Sequence, residues 1–114
     1  MKRIIIGITG ATGTIYGSRL MEMLREEGDT EIHLVMSPSA KLTLKMEYDV
    51  EPDYINSLAH EVHAPNNIGA SISSGSFASA GMIVAPCSIK TMSNIAMGNT
   101  GDLISRAADV ILKE

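Results

Sequence analysis

The chain has no tryptophan, one phenylalanine, three tyrosines and a single cysteine. One cysteine permits no internal disulfide, which fits a reducing cytoplasm and excludes a disulfide-stapled secreted scaffold. With so few aromatics, the core has to be filled by aliphatic side chains, and eight Met and many Ile are present to fill it. No apolar run approaches the roughly 18 residues of a membrane span. The basic start Met1-Lys2-Arg3 leads straight into a short strand rather than a signal-type apolar region. Blocks of one charge are missing too: 13 acids and 9 bases, a net charge of -4, are spread along the chain. That argues against nucleic acid or an anionic membrane as a partner. What is left is one globular domain over residues 1–114, 45% hydrophobic and expected in the cytoplasm.

Strand and helix patterns alternate. Residues 3–8 (RIIIGI) form a β-branched run of the kind buried on both faces of a parallel sheet, and Gly10 to Gly13 break it. Over residues 14–27, Ile15, Leu20, Met23 and Leu24 recur at helical spacing until Gly28-Asp29 closes the segment. Residues 31–36 (EIHLVM) read as a second strand. Ser37-Pro38 reads as an N-cap and first helical position, opening a helix to about Met46. Residues 49–80 are the least regular, with a short helix at 53–60 and a small-residue stretch at 69–81. A third buried strand is expected at 82–85, with helices at 88–97 and 102–113. This order predicts an α/β domain whose parallel sheet is wound by right-handed crossovers and covered by helices on both faces.

Ligands of such sheets bind beyond the carboxyl ends of the strands, so residues 9–14, 37–39 and 86–91 are the loops to consider. All three are rich in Gly, Ser and Thr. GITGATG places glycines at 7, 10 and 13 between a strand and a helix, where small residues and free helix-start amides admit a phosphate. A tight turn without a ligand has the same pattern. A nicotinamide site would want an acid near the end of the second strand, and Ser37-Pro38 stands there instead. In APCSIKTMSN, the hydroxyls of Ser88 and Thr91 suit either a plain helix cap or an anion.

GITGATGTIYGSRL, HLVMSPSAKLTLKMEYDV, SISSGSF with GMIVAPCSIKTMSNIA, and RAADVILKE together resemble the UbiX-like flavin prenyltransferases. The resemblance covers the whole chain, and PCSIKT and RAADVILKE are its most specific parts. It implies a Rossmann-like, flavodoxin-like three-layer domain that binds FMN. It also implies transfer of a dimethylallyl group from dimethylallyl monophosphate to reduced FMN at N5 and C6, with the prenylated product passed to a UbiD-type decarboxylase. A homo-oligomer and no metal are implied as well. Carried over by position, Gly10, Ala11 and Thr12 match the flavin-binding turn, with Thr12 where Ser is usual. Ser37 and Ser88, Ile89, Lys90 and Thr91 match flavin contacts. Glu47 matches an acid that handles protons near N5, and Arg106 and Lys113 match basic groups that hold the prenyl phosphate. Ile68 stands where some members carry Trp, which removes a π face from that position. The family's chains run on beyond Glu114, so the expectation is a C-terminally truncated piece lacking the family's last strand or strands.

Other readings stay open: a non-catalytic FMN-binding fragment, or a related flavoprotein decarboxylase, although PCSIKT replaces the PASANT-like segment of those enzymes. A short-chain dehydrogenase is disfavoured because no Y-x-x-x-K occurs. Cys87 reads as a small buried apolar residue rather than a thiolate. His60 and His63 (H-x-x-H) read as surface residues, and His33 as a non-catalytic strand residue.

Overall fold

The computed structural model describes residues 1–113. β1 (Lys2–Ile8) lies inside the sheet because its isoleucines have a core on either side. Ile6 and Ile8 point to one face and Ile5 to the other, and all three are fully buried. Each such burial contributes about 1.5–3 kcal/mol. α1 (Thr14–Glu27) ends at Gly28, whose left-handed φ of 81° lets its N–H reach the Leu24 carbonyl at 3.1 Å. β2 (Thr30–Met36) follows, then α2 (Pro38–Tyr48), α3 (Pro52–Leu58) and β3 (Glu61–His63). A single 3-10 turn at Ser71–Ser73 is the regular structure within the small-residue stretch. β4 (Gly81–Val84), α4 (Ile89–Met97) and α5 (Leu103–Lys113) complete the described chain.

The four strands are all parallel in the order β3-β2-β1-β4. Met21 of α1, Ala40 and Leu44 of α2 and Ile55 of α3 cover one face of the sheet. Leu103, Ile104 and Ala107 of α5, with Ile72, cover the other. This is the three-layer α/β arrangement expected from the alternating pattern. Among the described residues no helix is long and apolar enough to cross a membrane.

Two expectations about strands are corrected. β3 was not expected: it is three residues long with one apolar side chain, Val62, so it has no apolar run to show. It is held by pairing His33, Leu34 and Val35 to Glu61, Val62 and His63. The strand expected to be buried at 82–85 is Gly81–Val84 and only half-buried, with Ile83 40% exposed. It is an edge strand that pairs with β1 alone among the described residues.

The strand order also fixes where a ligand belongs. From β1 the chain moves outward through β2 to β3, then returns to β1's other side at β4. The switch point therefore falls between β1 and β4, where a crevice opens beyond the strand ends.

Candidate functional site

A cleft of about 200 Å³ lies at this switch point, lined by Thr9, Ser37, Pro38, Ser39, Ser88, Lys90, Thr91 and Asn94, with Pro65, Asp102 and Ile104 closing it. Three loops far apart in sequence meet here. Thr9 links the first and third: its hydroxyl donates to the Pro86 carbonyl at 2.7 Å and accepts from the Ser88 amide at 2.7 Å, while its own amide donates to Pro86 at 3.2 Å. The second loop is tied in by the Ser37 amide, which donates to the Ile8 carbonyl at 3.0 Å.

Glycine is required where these loops touch. A Cβ on Gly10 would sit 2.5 Å from Ser39 Oγ and 3.0 Å from the Ser39 backbone carbon, so the glycine turn rests directly on the start of α2. Gly17 meets the Ala85 carbonyl in the same way, which leaves no room for a side chain between α1 and the end of β4.

The hydroxyls expected to matter are also helix caps. Ser37 Oγ accepts from the Ala40 amide at 3.1 Å and shares a proton with Ser39 Oγ at 3.2 Å. Ser88 Oγ accepts from the Thr91 amide at 3.1 Å and donates to Thr91 Oγ1 at 3.0 Å. The cap uses a Ser88 lone pair and the Ser88 proton goes to Thr91 Oγ1, which leaves the Thr91 proton to point elsewhere. Asp102, the carboxylate of the cleft, caps α5 through Oδ1, accepting from the Ser105 amide at 2.8 Å and the Ser105 hydroxyl at 3.0 Å. Its charge is thus set against a helix start, where it is stabilised.

The starts of α2, α4 and α5 converge on one cleft, with Lys90 as its cation and no acid in the first turns of α2 and α4. Thr14, at the start of α1, is buried with a hydroxyl that has no partner among the described residues, and it does not line the cleft. Amides, hydroxyls and one lysine form a donor set that fits a phosphate-bearing group, while the Asp102 carboxylate is engaged by Ser105. At 200 Å³ the cleft is smaller than the about 300–1,000 Å³ of sites that enclose a ligand, so it has room for one portion of a nucleotide-sized molecule.

Ser37, Ser88, Lys90 and Thr91 are brought together in the cleft, and Gly10 borders it through Ser39. Ala11 and Thr12 lie in the adjoining turn, Thr12 exposed, and Ile89 is 79% exposed; none of these three lines the cleft. Glu47 is exposed near the far end of α2, ten residues past Ser37 and about 15 Å along the axis. Lys113 sits at the far end of α5, paired with Asp109 at 2.9 Å. Arg106 is half-buried, with an Nε that has no partner among the described residues, and it does not line the cleft either. Asn94 and Asp102 are cleft residues that sequence reasoning missed. Thr9 lay within the first of the three expected loops but was not singled out, although it is the hydroxyl that directly follows the first strand.

Cys87 is corrected. It is exposed, because it lies in the loop beyond β4 at the rim of the molecule. Desolvation pushes its thiol up, so it is a neutral thiol and not an activated nucleophile. The surface reading of H-x-x-H holds for His60 but not for His63, which is buried on β3 beside His33.

A parallel α/β sheet with a glycine- and hydroxyl-lined, phosphate-compatible cleft at its switch point defines a nucleotide-cofactor-binding domain. Its sequence matches the Flavoprotein family over residues 1–114, and the chain belongs to that family. It is 53% identical over 114 residues to the flavin prenyltransferase UbiX of Escherichia coli K12, covering all of this chain and 60% of that protein. It is 50% identical to the flavin prenyltransferase LpdB of Lactiplantibacillus plantarum, covering 61% of it. The chain thus spans about 60% of the length of these relatives. Among solved structures, AnUbiX in complex with FMN and dimethylallyl pyrophosphate superposes with a TM-score of 0.96 at 49% identity, over 99% of this chain and 60% of that one. A dodecameric FMN-dependent Ubix-like decarboxylase from Escherichia coli O157:H7 superposes at 0.96 with 47% identity, over 98% and 61%.

Proposed function

We propose that the chain binds FMN through the switch-point cleft and serves flavin prenyl transfer, using dimethylallyl monophosphate and supplying prenylated FMN to a UbiD-type decarboxylase. The observation that carries this is the convergence of Gly10, Ser37, Ser88, Lys90 and Thr91 on one rim of the sheet, around three helix starts. Reduced FMN, when bound, would supply an electron-rich ring whose N5 and C6 bond to two different carbons of the dimethylallyl group as its carbon–oxygen bond to the phosphate breaks.

The chain's own part is positional and electrostatic. The amides of α2 and α4, the free Thr91 proton and Lys90 hold phosphate oxygens. The same kind of donor, aimed at charge that develops on a departing phosphate, is worth about 10²–10³ in rate. Pro38, Pro65 and Ile104 give the cleft an apolar wall for the ring system.

Glu47, Arg106 and Lys113 keep their proposed roles in proton handling and prenyl-phosphate binding only if another copy of the chain brings such groups to this cleft. Exposed apolar residues flank two of them: Leu42 and Met46 beside Glu47, and Leu112 beside Lys113, each at least 60% exposed. That arrangement supports a homo-oligomer with sites shared between copies.

The test is incubation of the chain with FMN, a reductant and dimethylallyl monophosphate, followed by mass spectrometry of the extracted flavin. A prenyl mass increment supports the proposal. Retained but unmodified FMN favours a non-catalytic flavin-binding module, and a chain that stays colourless in excess FMN overturns the site.

A further inference from the structure

Away from the cleft, on the α5 side of the sheet, lies a group of side chains that flavin binding does not use. Parallel strands place directly paired residues on the same face, and β2 and β3 pair His33 with Glu61 and Val35 with His63. His33 and His63 are both buried, at 1% and 8% exposure, while Glu61 is exposed and opens the group to solvent.

One ring nitrogen of His33 is already engaged: Nε2 lies 2.9 Å from Glu31 Oε1. The other, Nδ1, is turned toward β3, 3.1 Å from His63 Nε2 and 3.5 Å from Glu61 Oε2. Two ring nitrogens and a carboxylate oxygen thus converge on one point, and each of the three groups can offer a lone pair to a metal ion.

We propose that His33 Nδ1, His63 Nε2 and Glu61 form a binding site for a zinc-class divalent transition metal. The three donor atoms lie within 4.8 Å of one another. Zinc bonds of about 2.0–2.2 Å in a tetrahedron need donors about 3.3–3.5 Å apart. The His33 separations of 3.1 and 3.5 Å bracket that, and rotation of the exposed Glu61 side chain closes the remaining edge. Two imidazoles and one carboxylate, with the fourth position left to water, are a known zinc donor set. Glu31 supplies the outer-shell carboxylate on the far ring nitrogen that orients a metal-bound histidine, and it is itself 3.9 Å from Arg3 Nε. Any proton held on a ligating nitrogen leaves on metal binding, so that each ring binds as a neutral imidazole with its other nitrogen protonated. His60 takes no part: its ring is held by the Ile32 amide at 3.0 Å and by Arg25.

The test is titration of the chelator-stripped chain with Zn²⁺ by calorimetry and with Co²⁺ by visible absorption. One equivalent of Zn²⁺, a Co²⁺ spectrum of tetrahedral intensity and a raised melting temperature are expected. Glu61→Gln, at an exposed position, and His63→Gln should each abolish the Co²⁺ signal. Glu31→Gln, at the positioning residue, should weaken Zn²⁺ about 10–100-fold. Should His63→Gln fail to fold by circular dichroism, Glu61→Gln decides. Absence of a tetrahedral Co²⁺ spectrum, or Zn²⁺ binding as tight in Glu61→Gln as in the unaltered chain, would leave a hydrogen-bonded histidine pair and overturn the proposal.

Discussion

Replacing Thr9 with Val tests whether the cleft is held together by one hydroxyl. Valine keeps the shape and removes only the oxygen. Thr9 is 2% exposed, and its Oγ1 is the acceptor for the Ser88 amide at 2.7 Å. In Thr9→Val that half-buried N–H loses its partner, whereas the Pro86 carbonyl keeps the Thr9 backbone amide. An orphaned donor costs about 1–3 kcal/mol. At roughly 4 °C per kcal/mol for a domain of this size, the melting temperature should fall by about 4–12 °C. Thr9→Ser retains the hydroxyl and gives up one methyl, so it should lose only about 1 kcal/mol. Thermal unfolding followed by circular dichroism measures both, and FMN titration of the same samples reads the cleft. FMN affinity should drop in Thr9→Val and be largely kept in Thr9→Ser. If valine were tolerated with an unchanged melting temperature, or serine were as damaging as valine, the hydroxyl link would not be what positions the third loop.

Gly10→Ala should destabilise the chain by about 1–3 kcal/mol through overpacking against Ser39, and Ser39→Gly in the same chain should restore part of the loss in urea denaturation. Ser88→Ala should cost about 1 kcal/mol as a lost helix cap and weaken FMN retention as well, which equilibrium unfolding and flavin fluorescence would separate. Glu47→Gln, at an exposed position outside the cleft, should leave stability and FMN retention unchanged and slow prenyl transfer; equal loss of retention and transfer would refute the role given to Glu47. Cys87 should alkylate slowly with iodoacetamide at neutral pH despite its exposure, because its folded pKa is raised and less thiolate is present than in an unfolded thiol. For the same reason its contribution to stability should decline as pH rises through the ordinary thiol value, where the unfolded chain ionises first. A rate at pH 7 equal to that of the urea-unfolded chain would contradict this.

Much of the architecture was legible because it is written in neighbouring residues. The β-branched run at 3–8 and the run EIHLVM at 31–36 mark strands whatever lies around them, and Ser37-Pro38, Ser88 and Gly28 mark helix ends. Strand-to-helix loops of a parallel sheet emerge at the carboxyl end, so Ser37 and Ser88 had to meet on that rim once the alternation was recognised. β3 was not legible, since three residues with one apolar side chain carry no period, and the strand exists only because β2 offers its backbone.

The sequence by itself determined the elements other than β3, their parallel winding and the side of the sheet where the glycine and hydroxyl loops gather, since each follows from short-range sterics, capping and periodicity. Only the tertiary structure decided that Thr9 joins the first loop to the third across 77 residues. Only it set Glu47 and Lys113 a helix length away from the cleft and assembled His33, Glu61 and His63 on one face. Those outcomes depend on strand register and helix length, which bring together residues that no local pattern relates.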